Sequence, residues 1–290
     1  MRPRHWVKNL FVILPVVFSF SFLDPVKVGQ SLAAFALFSL AASGVYAVND
    51  FMDAEDDRRH PRKKNSRPIA NGTVSKSTAA VLALALFAIA FFGGYRLAHA
   101  FFWVLAVYVF HNVLYTFLLK HLPLLDIISV AFGLVLRVVA GIFAIGVALS
   151  PWILGTTFFL GMVIVGSKRL RERVIVDEAE RRPVLQFYTP AFLNEIVFFS
   201  MMVSLSLFLL YAFLKVRSVT FLLTILPATY GMLRFRWLTL GAHLATDNPT
   251  DILFEDQPLQ LAIAVFGLIV IGVFFLKFTP YAYLTVPFAE

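Results

Sequence analysis

Two stretches of this chain, Ser31–Val48 and Thr78–Tyr95, contain no charged residue. Uncharged apolar runs of that length fold only where something other than water surrounds them. Runs of the same character recur at roughly 8–23, 31–48, 77–96, 99–119, 124–148, 151–167, 191–214, 217–234 and 259–278. Each is near the ~20 residues that cross a hydrocarbon core as a helix. Hydrophobic residues make up 60% of the chain and charged residues only 14%, against about 25% charged in soluble proteins. The expected fold is therefore all-α: a polytopic membrane protein of nine transmembrane helices, one integral domain over residues 1–290. The basic start, followed by an apolar run, resembles a signal peptide. No small-x-small cleavage site follows, so a retained first span is expected.

The Lys and Arg residues choose the orientation. With the N-terminus inside, 19 fall in inward segments and 5 outward, and Arg137 lies within a span. That bias supports a cytoplasmic N-terminus and an odd number of spans. The net charge of +8 would suggest nucleic acid for a soluble protein; here it reflects the inward bias, and no nucleic-acid partner is expected. Nearly all carboxylates lie inward too, a placement that the rule for Lys and Arg does not demand. A charged substrate handled on the cytoplasmic face of the plasma membrane is expected, with loops at about 49–76, 168–190 and 235–258 capping the site. The chain has no Cys, which excludes thiol catalysis and a Cys-based metal centre. It also lacks a Gly-x-x-x-x-Gly-Lys-Ser/Thr phosphate loop and a His-Glu-x-x-His zinc motif.

The richest polar stretch is Asn49 to Asp57, with five carboxylates, followed by six Lys or Arg between Arg58 and Arg67. On a helix, Asn49, Asp50, Asp53 and Asp57 share a stripe about 100° wide. Such an oxygen set suits Mg²⁺, which keeps waters and bridges to phosphates. A solvated, charge-balanced loop is the plainer alternative; the helical spacing of the acids and the single block of bases count against it. Tyr115 and Lys120 could bind phosphate at an inner helix end, or serve as an interfacial tyrosine and a snorkelling lysine. Arg137 is an ionisable residue inside a span, which calls for a partner and a role. Asp126, ~16 Å away along the axis, is too far to be that partner. Lys168 and Arg169 follow an apolar span, as anchors or as cations for phosphates. Lys8 and Asn9 are expected to start the first span at the depth of the acidic motif.

Asn49, Asp50, Asp53 and Asp57 in this spacing resemble the first aspartate-rich motif of the UbiA superfamily of intramembrane prenyltransferases, and Tyr115 to Lys120 resembles its fourth-span motif. Within the superfamily, four stretches resemble the branch that moves phosphoribosyl onto decaprenyl-type phosphates. They are Arg2 to Asn9; Asp57 to Lys63 with Arg67 to Gly72; Leu136 to Gly141 with Ser150 to Trp152; and Gly166 to Arg169. Lys168-Arg169-Leu170-Arg171 stands where members using prenyl diphosphates carry a second aspartate motif, and Ser167 stands where Gly would be expected.

The resemblance implies transfer of phosphoribosyl from 5-phosphoribosyl 1-diphosphate to a polyprenyl phosphate, a step toward a lipid-linked arabinose donor for cell-wall arabinan. It implies Mg²⁺ held by Asn49, Asp50, Asp53 and Asp57, with Asp50, Asp53, Asp57 and Lys168 as catalytic residues. Lys8, Asn9, Arg58, Arg67, Tyr115, Lys120, Arg137, Lys168 and Arg169 would bind substrate. The rival readings are a prenyltransferase acting on an aromatic or other acceptor and a lipid carrier. Apolar outer faces would serve a homo-oligomer and the lipid bilayer equally well.

Overall fold

The computed structural model describes residues 3–59, 67–148, 150–175, 182–241 and 249–277. Among them every regular element is helical, and by contacts the chain divides into two compact units, Met1–Leu149 and Ser150–Glu290.

The first unit opens with a 3-10 helix, Pro3–Val12, and a short α-helix, α1 (Leu14–Phe18). Pro15 has no N–H to donate, so one α-helix cannot run through 8–23 as the hydropathy suggests. The chain then turns at Phe20, whose φ is 55°. Pro25 occupies the first turn of α2 (Pro25–Met52), where Asp24 Oδ1 accepts from the Val26 and Lys27 N–H groups at 2.9 and 3.2 Å. An acceptor at the cap and a proline just inside it are strong start signals. With 28 residues, α2 extends beyond 31–48 at both ends and carries the first half of the acidic motif.

Three helices complete the unit after α3 (Ala54–Arg59): α4 (Lys76–Leu97), α5 (His99–Phe117) and α6 (Leu125–Ile145). Ser75 caps α4 through the Thr78 N–H, and the extended Ala98 alone separates α4 from α5. α6 ends at Gly146 in the left-handed conformation, φ 64°, which a residue without Cβ adopts at no steric cost. The core joins Phe38, Ala41 and Val45 of α2 to Phe101, Leu105 and Tyr108 of α5 and to Leu136 and Ala140 of α6, with Val12 and Val16 from the N-terminal segment.

In the second unit α7 (Pro151–Ile175) packs along α8 (Pro190–Tyr211). A π-type turn, Ala212–Val216, then leads through α9 (Val219–Leu222) to α10 (Ile225–Leu240), α11 (Pro249–Glu255) and α12 (Gln257–Lys277). The run expected over 217–234 is broken. Arg217 is left-handed, and the helix restarts at Ile225 ahead of Pro227, whose missing N–H is harmless only in a first turn. Val163, Val197, Met201, Phe235, Leu238, Ile252 and Leu259 form the core.

Asp256 starts α12, accepting from the Leu259 N–H at 2.8 Å and from Arg234 at 2.8 and 3.2 Å. Chiefly through its hydrogen bond with Arg234, its carboxyl is held below the usual carboxylate range. A lowered folded-state pKa stabilises above the unfolded value, ~3.9, and is lost as pH falls through the lowered one. Thermal unfolding of the parental chain and Asp256→Asn should therefore differ at neutral pH and converge below about pH 4. Equal curves at pH 7 would deny the pair any stabilising role.

Among the described residues, six helices are long and apolar enough to cross a membrane: Pro25–Met52, Lys76–Leu97, His99–Phe117, Leu125–Ile145, Pro151–Ile175 and Pro190–Val216. Shorter apolar helices lie at Trp6–Phe18 and Gln257–Val273. Many large apolar side chains on the long helices face outward, such as Leu84, Phe92 and Phe110, as lipid contact requires.

Candidate functional site

The acidic motif sits at the C-terminal end of α2. Asn49 and Asp50 are in the helix and Asp53 caps it, with the Asp53 N–H still bonded to the Asn49 carbonyl at 2.9 Å. The expected stripe therefore holds through Asp53; α3 then begins afresh at Ala54. The side chain of Asp57 lies outside the described residues. Carboxylates at a helix C-terminus meet the negative end of the helix dipole. The site is consequently short of positive charge and draws cations to it.

Two cations arrive from distant parts of the chain. Arg67 is ion-paired with Asp50, and Lys120 Nζ lies 3.7 Å from Asp53 Oδ1. Arg67 is delivered by a turn: the Asn71 N–H bonds the Arg67 carbonyl, and the Val74 N–H bonds the Pro68 carbonyl. Ile69 buries itself with Ala54 and Ala79, against Phe51 and Val74. Lys120 sits in a single 3-10 turn, Leu119–His121, just beyond α5, and Tyr115 is half-buried in the last turn of α5. Arg58 is exposed on α3.

Thr116, which the sequence reading missed, supports Asn49. Its hydroxyl is 2.9 Å from Asn49 Oδ1 and 2.8 Å from the Asn112 carbonyl. One proton cannot serve both acceptors at full strength. Turning the Asn49 amide, whose oxygen and nitrogen are alike in shape, lets its NH₂ donate to Thr116 and frees Oδ1 for a cation.

Among the described residues, no three His, Cys, Asp or Glu side chains converge as a metal cage. The donors present, Asn49 with Asp50 and Asp53, suit Mg²⁺, which takes one or two carboxylates and fills its remaining positions with water and substrate phosphate. Beside the motif, an apolar groove of about 250 Å³ runs between α2 and α4, lined among others by Ala47, Val48, Phe51, Ala83 and Phe87. Only hydrocarbon suits such a lining.

The second cluster lies deeper. Trp6 Nε1 donates to Ser43 Oγ at 3.2 Å, and Asn9 Nδ2 donates to Ser39 Oγ at 3.0 Å. The N-terminal helix thus runs antiparallel to α2, and Asn9 sits eleven residues, ~16 Å, from the level of Asp50. For Asn9, this departs from the expectation that Lys8 and Asn9 lie at the depth of the acidic motif. Arg137 finds its partners here. Nε donates to Asn9 Oδ1 (2.8 Å), Nη1 to the Gly133 carbonyl (2.6 Å) and Nη2 to Tyr108 Oη (3.2 Å).

In the second unit, Lys168 is half-buried on α7. Arg169 is 2% exposed and paired with Glu172 at 3.1 Å, and Arg182 lies 3.2 Å from the same carboxylate. Arg171 reaches the Leu238 carbonyl and Arg173 the Tyr188 carbonyl. Arg169, Arg171 and Arg173 thus have protein acceptors of their own.

Residues 10–254 match the UbiA prenyltransferase family. The chain belongs to the UbiA prenyltransferase family. It is 33% identical over 297 residues to a decaprenyl-phosphate phosphoribosyltransferase of Mycolicibacterium smegmatis, covering 95% of this chain and 91% of that one. It is also 33% identical over 269 residues to the enzyme of that name from Mycobacterium tuberculosis, with 90% and 88% covered. The fold is similar to that of a UbiA homolog from Archaeoglobus fulgidus solved with DMAPP and Mg²⁺. The TM-score is 0.70 at 19% identity, over 94% of this chain and 96% of that one.

Proposed function

We propose that this chain transfers the 5-phosphoribosyl group of 5-phosphoribosyl 1-diphosphate to a decaprenyl-type polyprenyl phosphate, releasing diphosphate. The product leads toward decaprenylphosphoryl-arabinose and cell-wall arabinan. The chain works as a nine-span protein of the plasma membrane, with the N-terminus and active site on the cytoplasmic side. The supporting observation is the end of α2, where Asp50 and Asp53 meet Arg67 and Lys120 and Asn49 meets Thr116. The likeness to decaprenyl-phosphate phosphoribosyltransferases over nine-tenths of the chain supports the choice of substrates.

Asn49, Asp50 and Asp53, with Asp57, would hold Mg²⁺, which supplies charge to offset the departing diphosphate. Arg67 and Lys120, resting on carboxylates in this structure, are the cations that donor phosphates would take over. Arg58 and Tyr115 add donors at the helix ends of the same unit. The acceptor phosphate is already anionic at neutral pH, so its oxygen needs placement rather than a strong base. The groove between α2 and α4 suits its hydrocarbon tail. An in-line attack at the ribose C1 predicts inversion there.

Membranes containing the chain should move label from phosphoribosyl diphosphate to polyprenyl phosphate only with Mg²⁺. Transfer from a prenyl diphosphate, with none from the ribosyl donor, would overturn this reading in favour of the prenyltransferase. Thr116→Val, which leaves Asn49 unsupported, should raise the Mg²⁺ concentration for half-maximal transfer by about tenfold, as loss of an outer-shell partner does. An unchanged Mg²⁺ titration would remove Thr116 from the site.

A further inference from the structure

Arg137 is 7% exposed, and its partners, Asn9, Gly133 and Tyr108, are all neutral. The two rings beside it add to the enclosure: its guanidinium carbon lies 5.3 Å from the Phe38 centroid and 5.0 Å from that of Tyr108. A buried cation with no carboxylate among these partners is expensive, and inside a span it signals a function. Binding a substrate phosphate is the obvious one, and the geometry speaks against it. Rings flank the guanidinium, and protein acceptors occupy its edges.

We infer that Arg137 is a positioning residue: it clamps the N-terminal 3-10 helix through Asn9 and thereby sets Lys8. The spacing of the contacts carries this assignment. On a 3-10 helix Trp6, Asn9 and Val12 fall on one face, three residues and ~6 Å apart. Four residues of α-helix also rise ~6 Å. Trp6 and Asn9 meet Ser43 and Ser39, four apart on α2. Asn9 and Val12 meet Arg137 and Gly141, four apart on α6. The segment is therefore in register with two α-helices at once. A 3-10 run of ten residues is uncommon; here that shared repeat holds it, and Arg137 supplies its charged contact. Lys8 is the residue next to the clamp.

The role for Lys8 rests on the phosphoribosyl-transfer reading; the clamp itself does not. The chain has no Cys, so a Trp6→Cys/Ser43→Cys pair can be joined in membranes by a short bifunctional thiol reagent. Arg137→Met should cut that cross-link at least fivefold. It should also raise the KM of whichever donor the parental chain uses by about tenfold, with kcat nearly unchanged. Lys8→Ala should raise the same KM about tenfold, and the double variant no further than either alone, instead of about a hundredfold. If Arg137→Met does not reach the membrane, Asn9→Ala cuts the same link and carries the same expectations. A raised KM with the cross-link intact, or additive effects with Lys8→Ala, would make Arg137 a direct substrate ligand. A lost cross-link with KM unchanged would make it structural only. Either result overturns the inference. Absence of any phosphoribosyl transfer by the parental chain sinks the functional reading instead, and leaves the cross-link to report on the clamp.

Discussion

Asp53→Asn should abolish transfer, by about a thousandfold, and leave the protein folded. The two effects separate because the residue contributes little to stability and much to the site. Its side chain is 40% exposed and its contact with Lys120 is 3.7 Å long. An exposed pair of that kind is worth roughly 0–1 kcal/mol. Losing a carboxylate that holds a charge-stabilising cation beside a leaving group costs ~3–4 kcal/mol of transition-state stabilisation. Transfer should be measured in membranes across a Mg²⁺ titration, with yield and thermal stability alongside. Full activity with Asn at 53 would show that the metal, if bound, is held elsewhere.

Gly141→Val should have the largest effect on stability. A Cβ at Gly141 would stand 2.0 Å from the Val12 carbonyl oxygen and 3.0 Å from Pro15 Cγ. Backbone and a proline ring cannot swing aside, so the N-terminal helix must leave α6 and Val12 must leave the core. Overpacking of this kind costs about 1–3 kcal/mol or more. The comparison is Gly133→Ala, four residues from Arg137 on the same helix, where the nearest atom would be 3.6 Å away. Lower yield and earlier thermal unfolding for the valine variant, with the alanine variant unchanged, is the expected pattern. Equal behaviour would mean that the segment can be displaced at little cost.

Much of this architecture can be read along the chain. The long apolar runs announce α2, α4, α5 and α6, and helical spacing makes Asn49, Asp50 and Asp53 one group. Interactions between distant positions are harder to read. Nothing near Asp50 announces Arg67, which arrives through a turn set by the burial of Ile69. Lys120 reaches Asp53 only because α5 ends beside α2. One partner of Arg137, Asn9, lies 128 positions away, and hydropathy cannot distinguish a 3-10 helix from the start of a span. Pro15 was the local clue to that, along with the three-residue step from Trp6 to Asn9 to Val12.

That step has a consequence for how the chain can vary in length. One residue inserted between Trp6 and Asn9 would rotate everything before it by ~120°, removing Trp6 from Ser43. One inserted between Asn9 and Val12 would part Arg137 from Gly141 as docking points. Three residues inserted at either place would restore the face, displaced by one turn. The N-terminal segment should therefore accept changes of length in threes and reject ones and twos, although it lies so near the end of the chain.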